Sequence, residues 1–253
     1  MSLEKILRMV NITKQFGNVQ ALKGVDFDVG ENEVVGLLGD NGAGKSTLVK
    51  IIAGFHPPTT GEFYFAGEKV RFLSPQNARK VGIEAVYQES ALVDLMSISR
   101  NFFLGREPTK FGYLDEKRMD EECVKAVTTI GVRVRSPREK VSVLSGGERQ
   151  SICIGRALYF QAKLLLFDEP TAALSVKESE YVLKRIKSLK EKGVSAVVVA
   201  HNIYHVYSIA DRFVILDRGI KIGEFLREDV TVEDIMQVIR TGSAEALEKR
   251  KSD

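Results

Sequence analysis

Residues 39–46 read Gly-Asp-Asn-Gly-Ala-Gly-Lys-Ser, a fit to G-x-x-x-x-G-K-[ST] placed where that pattern has structural meaning. Upstream, Glu33 to Leu38 is a short apolar, β-branched run suited to a buried strand, and downstream Ser46 to Ala53 can continue as a helix. No other stretch constrains the fold as much, because strand, glycine-rich loop and helix in this order demand a sheet with a helix packed beside it. The backbone N–H groups of Gly39, Asn41, Gly42, Ala43, Gly44 and Thr47 can curl round a polyphosphate, and the helix N-terminus adds partial positive charge. Lys45 would reach the terminal oxygens, and the Ser46 hydroxyl can ligate Mg²⁺. A glycine-rich turn before an ordinary helix is the bland alternative, and it leaves the Lys-Ser pair unexplained.

At 253 residues the chain is expected to form one large α/β domain or a core with a smaller lobe. Its 37 basic and 34 acidic residues are intermixed, so the net charge of +3 argues neither for a nucleic-acid-binding surface nor for an acidic tail. Cys123 and Cys153 lie in helix-like stretches without C-x-x-C spacing, which suits packing in a reducing cytosol better than a disulfide or a zinc site. The opening residues show no signal-peptide pattern, and apolar runs such as Val194 to Ala200 are too short to cross a bilayer. Any membrane role is therefore expected to go through a partner.

Ile6 to Phe16 and Val19 to Val29, split by Gly17-Asn18, read as an antiparallel hairpin. Strand-like alternation resumes from Glu62 to Phe72, and Ser74-Pro75 reads as a cap and first turn of a helix reaching Gly82. Ile83 to Tyr87 is a short strand delivering Gln88. Between about Leu92 and Val141 the character turns helical, at Ser97 to Leu104 and Asp115 to Ile130, which suggests an inserted helical lobe over 92–141 between core segments 1–91 and 142–253. The α/β rhythm returns with a helix opened by Ser145-Gly146-Gly147 and the apolar strand Lys163 to Phe167, which ends in Asp168-Glu169. A helix from Val176 to Lys192 carries a capping box, Ser175 with Glu178. Ser195 to Ala200 is a buried strand with His201 after it; two short strands near Phe213 to Asp217 and Lys221 to Phe225 and a helix from Thr231 follow.

The heptapeptide Leu144-Ser145-Gly146-Gly147-Glu148-Arg149-Gln150 is the second strong signal, and with it the chain resembles the nucleotide-binding subunit of an ATP-binding cassette transporter. In that family L-S-G-G-[QE] is the signature, the strand ending in Asp168 matches the acidic motif that holds Mg²⁺, and Glu169 takes the position of the catalytic glutamate. Gln88 matches the glutamine that touches Mg²⁺ or lytic water, His201 the switch histidine, Phe16 the aromatic that stacks on adenine, and Ala172 to Ser175 the loop before the next helix. The resemblance implies a P-loop NTPase core with a mostly parallel sheet, an antiparallel β subdomain and the helical insert. It also implies a homodimer in which Ser145, Gly146, Gly147 and Glu148 bind ATP held by the opposite copy.

For His56 and His205 no motif speaks, and Phe16 alone reads equally as turn or core packing. In-line attack of water on a γ-phosphate needs positioning and charge neutralisation, which Lys45, Mg²⁺ and backbone N–H groups supply, while Glu169 orients or deprotonates the water and His201 donates to the phosphate. One departure is Ser175 where the family often has Asp. Val70 to Pro75, Gly82 to Glu89 and Asn101 to Glu107 resemble carbohydrate importers of the ribose, xylose, galactose and fructose type. This implies a cytoplasmic subunit, peripheral on the inner face of the cell membrane, docked on an integral-membrane permease that a sugar-binding protein serves. The alternatives are a soluble cassette ATPase acting on ribosomes or DNA, and a P-loop kinase of small metabolites; the latter leaves residues 144–150 and His201 unexplained.

Overall fold

Two long strands, β1 (Lys5–Phe16) and β2 (Val19–Gly30), open the chain as the antiparallel hairpin that their spacing predicts, with Phe16 paired to Val19 at the turn. The computed structural model describes residues 4–87, 92–130, 134–172 and 174–245. After the hairpin come β3 (Val34–Gly39), α1 (Lys45–Ile52), β4 (Thr60–Phe65) and β5 (Glu68–Lys69). The alternation expected as far as Phe72 stops at Lys69, because Ala66 and Gly67 both take positive φ in a tight turn and Phe72 folds inward onto Phe63, ring centroids 5.1 Å apart. Next are α2 (Pro75–Val81), capped by Ser74, and β6 (Ile83–Val86).

The helical stretch contains α3 (Ile98–Phe103), a small hairpin of β7 (Thr109–Lys110) and β8 (Tyr113–Leu114), and α4 (Glu116–Thr129). Then follow α5 (Gly146–Tyr159), β9 (Leu164–Asp168), α6 (Val176–Ser188), β10 (Ser195–Val199), α7 (Ile203–Ile209), β11 (Arg212–Asp217), β12 (Ile220–Leu226) and α8 (Val232–Thr241). The helix expected to run to Lys192 ends earlier: residues 190–192 tighten into a 3₁₀ turn closed by left-handed Gly193. The hairpin β7–β8 and the helix α7 were not legible in the sequence.

β12, β11, β3, β10, β9 and β6 form the main sheet in that order, parallel except for the β11–β12 pair. β2, β1, β4 and β5 form a separate antiparallel sheet. One core lies between the sheets: Leu7, Met9, Ile12 and Phe27 meet Leu48 and Ile52 of α1 and Leu164, Leu166, Val197 and Val199 of the main sheet. On the other face Leu165, Phe167, Val198 and Phe213 pack against Val182 and Ile186 of α6, Val206 of α7 and Ile235 of α8. A third cluster joins Ile98, Phe102 and Phe103 to Met119, Cys123, Val127 and Ile152. Since Ile152 faces this cluster while Ile154 and Ala157 face the second core, α5 holds the insert to the sheet. Cys123 and Cys153 are free, and burial pushes both thiols up to about 12.

Candidate active site

β3, β10 and β9 are adjacent and parallel, so their C-terminal ends open on one side of the sheet, where ligands of such sheets bind. The loop after β3 wraps toward α1 and needs its glycines. Gly39 has φ 140°, and a Cβ there would lie 2.1 Å from the Leu216 carbonyl oxygen; Gly44, at φ 103°, precedes α1 with a Cβ position 2.9 Å from the Ala21 carbonyl. Asn41, Gly42, Ala43, Gly44, Lys45, Ser46 and Thr47 line a cavity of about 680 Å³ together with Asp168, Glu169 and His201. Gly39 is not among the lining residues. The Lys45 ammonium, 7% exposed, donates to the carbonyls of Gly39 and Asp40 at 2.8 Å each. Burial depresses its pKa, and the charges of Glu169, Asp40 and Asp168 work against that shift. Burial also raises the Asp168 carboxyl, opposed by Lys50, Lys45 and His201.

Glu169 is turned by its backbone. It has φ 55°, a left-handed conformation that costs a side-chain-bearing residue about 1–2 kcal/mol. Its N–H donates to the Val199 carbonyl at 2.8 Å, and its Oε2 accepts from the His201 N–H at 3.1 Å. His201 Nε2 stands 3.6 Å from Glu169 Oε1. The twist after β9 therefore carries the carboxylate sideways to the end of β10, beside the histidine. His205, without a motif, has Nδ1 3.1 Å from the Thr171 hydroxyl, and His56 meets Phe16 edge-on, ring centroids 5.4 Å apart.

Other expected residues lie outside this cavity. Phe16 is half-exposed rather than in the core, with Lys14 Nζ 4.9 Å from its ring centroid, and does not line the cavity. Ser145, Gly146, Gly147 and Glu148 form the start of α5, away from the lining: Glu148 N–H donates to Ser145 Oγ at 3.3 Å and Ser145 N–H to Glu148 Oε2 at 2.8 Å. The Gly147 N–H donates to Glu178 Oε1 at 3.4 Å. Gln88 and Ala173 lie outside the described residues. Among the lining residues that escaped the sequence reading are Lys23 from β2, Tyr87 just after β6 and Arg218 in the β11–β12 turn. They have no motif spacing, and only the strand pairing brings them in.

The sequence model described as ABC transporter matches residues 22–172. The chain is 45% identical to the xylose/arabinose import ATP-binding protein XylG of Sulfolobus acidocaldarius, over 98% of this chain and 100% of that one. It is 38% identical to the fructose import ATP-binding protein FrcA of Rhizobium meliloti, over 97% of both, and 37% identical to a ribose import ATP-binding protein, RbsA 1, of Rubrobacter xylanophilus, over 99% of this chain and 50% of that one. Among solved structures, an ATP-binding cassette of an ABC transporter in its ADP conformation superposes with a TM-score of 0.80 at 28% identity, covering 93% of this chain and 95% of that one. A dimeric post-hydrolysis cassette bound to ADP and Pi gives 0.73 at 29% identity over 87% and 98%. A match this complete, on a fold whose strand ends gather the phosphate loop, the acidic pair and the histidine, places the chain in the ABC transporter family.

Proposed function

We propose that this chain is the ATP-hydrolysing subunit of a sugar importer, binding MgATP between two copies of itself and driving an integral-membrane permease. The observation that carries the chemistry is the convergence of Lys45, Ser46, Asp168, Glu169 and His201 on one cavity. Lys45 and the loop N–H groups take the β/γ oxygens, exchanging the Gly39 and Asp40 carbonyls for phosphate. Glu169 orients the attacking water and accepts its proton, and His201 donates to the γ-phosphate from the same strand-end corner. Gln88, next in the chain after Tyr87, would contact the metal or the water. Phe16 offers its exposed ring to adenine.

Among the described residues there is no group of three or more His, Cys, Asp or Glu able to hold a metal ion by itself. Mg²⁺ does not require one: it keeps several waters and takes one or two protein oxygens plus substrate phosphates, which suits the Ser46 hydroxyl and the Asp168 carboxylate on this cavity. When bound, the metal neutralises charge on the phosphate oxygens.

Ser145, Gly146, Gly147 and Glu148 stand apart from the chain's own cavity, which supports their use on the nucleotide of a second copy arranged head to tail. Sugar as cargo follows the relatives, named for import of xylose/arabinose, fructose and ribose. None of these names points to the alternative of an ATPase acting on ribosomes or DNA. Among the described residues no helix is long and apolar enough to cross a membrane, so the proposed place, on the cytoplasmic face, depends on the permease, to which a sugar-binding protein delivers cargo. Glu169→Gln tests the chemistry: ATP binding and an ATP-dependent dimer on size exclusion should remain while hydrolysis falls at least about 100-fold. Unchanged turnover would remove Glu169 from this role. Lys45→Ala should instead weaken nucleotide binding in equilibrium titration.

A further inference from the structure

Strand register brings one more polar group to the acidic end of the cavity. β6 and β9 pair from Ile83↔Leu164 to Val86↔Phe167, so the next residues, Tyr87 and Asp168, stand beside each other. Paired residues on neighbouring strands project from the same face. Val86 and Phe167 enter the core under α6, which turns Tyr87 and Asp168 to the opposite face, toward the phosphate loop and α1. Tyr87 accordingly lines the cavity with Lys45, Ser46 and Asp168.

The tyrosine is held at two points. Its ring packs edge-on against Phe55, centroids 5.9 Å apart, and its carbonyl accepts from Nε2 of Gln150, 4% exposed, at 3.2 Å. Its hydroxyl is closed to solvent and, among the described residues, has no hydrogen-bond partner. A buried donor without an acceptor is a cost that phenylalanine would avoid at nearly the same shape. The Asp168 carboxylate, at the neighbouring position one strand away and lining the same cavity, is a group that would use the donor.

We propose that Tyr87 is a positioning residue for the carboxylate that would hold the metal: with Mg²⁺ and nucleotide in place, its hydroxyl donates to the Asp168 carboxylate. The inference rests on the reading of the cavity as the MgATP site. No covalent bond changes and the phenol keeps its proton. Such outer contacts fix the orientation of a ligating carboxylate, and their loss lowers metal affinity about 10–100-fold in other sites. Gln150 ends the heptapeptide that starts α5 and holds the Tyr87 carbonyl, so the contact also links that helix to the metal end of the cavity.

Calorimetric titration with the non-hydrolysable analogue AMP-PNP, in EDTA and in saturating Mg²⁺, tests this on Tyr87→Phe and the parent chain. The two should bind alike in EDTA, while the gain in affinity on adding Mg²⁺ should be at least about 10-fold smaller in the variant. The Mg²⁺ concentration for half-maximal ATP hydrolysis should rise in parallel. An unchanged Mg²⁺ gain, or equal weakening with and without metal as a purely structural role would give, overturns the proposal. Should Tyr87→Phe fail to fold, 3-fluorotyrosine placed at position 87 alone gives a second reading. Its fluorine resonance should move when Mg²⁺ is added to the AMP-PNP complex, and a resonance indifferent to the metal overturns the proposal. A parent chain that binds no nucleotide at all would instead defeat the reading of the cavity itself.

Discussion

Arg212 is 7% exposed and ties four segments together. Its guanidinium donates to Glu33 at 2.7 and 2.9 Å, to the Asp28 carbonyl at 2.9 Å and to Glu224. Burial works against its charge, but the hydrogen bond and charge of Glu33, then Glu224 and Asp28, hold its pKa above the ordinary value. Removing one member of such a group strands the others, so Arg212→Leu should cost about 3–5 kcal/mol by leaving Glu33 buried without its cation. A urea midpoint that falls at an unchanged slope is the expected readout. Nothing local announces this contact, whose partners are 179 positions apart. By contrast Lys45 was legible from the phosphate-loop pattern, and Asp168, Glu169 and His201 from their places at strand ends together with the family resemblance. Tyr87, Lys23 and Arg218 were not, since their place in the cavity depends on pairing between distant strands.

Ser175 serves first as the cap of α6. Its N–H and Oγ donate to Glu178 Oε2 at 3.0 and 2.7 Å, and its Oγ accepts from the Glu178 N–H at 3.4 Å. Glu178 also accepts from the Gly147 N–H, so one carboxylate joins the starts of α6 and α5. Bonds from the Ser175 side chain, then the backbone of Ser175 and Gly147, hold that carboxyl below its ordinary 4.5. A carboxyl with a depressed folded pKa stabilises above its unfolded value and loses that contribution as pH falls through the folded one. Ser175→Ala should therefore lower the urea midpoint at pH 7, a deficit that shrinks as the titrations move below about pH 4.5. Ser175→Asp should keep most of the cap. Ser74, Ser145, Ser175 and Thr231 announce α2, α5, α6 and α8, whereas the Asn202 cap of α7 was not read. α7 is only seven residues long, with Val206 and Ile209 buried, and β7 and β8 are two exposed residues each, too short for any period to show.

The architecture as a whole follows from both kinds of information. Alternating strands and helices made the α/β class legible, whereas the stacking of a second sheet over α1 depends on β1 reaching β4 across the phosphate loop, Leu7 opposite Phe65. Each copy has the phosphate loop in its cavity and the start of α5 outside it. Affinity purification of the tagged chain from its native membranes in mild detergent should bring down a multi-span permease in fixed ratio. Recovery of only ribosomal or chromosomal proteins would end the transport assignment while leaving the hydrolysis chemistry intact. The two cysteines, Cys123 buried and Cys153 partly buried, bear on how the proposed pairing of two copies can be watched. With both thiols pushed up to about 12, neither offers appreciable thiolate at neutral pH to a maleimide. The natural chain is thus already a quiet background for fluorescence. A single cysteine introduced at Val176, 77% exposed at the start of α6, gives one addressable point per copy, and energy transfer between two such dyes becomes a ruler for the approach of the subunits in real time.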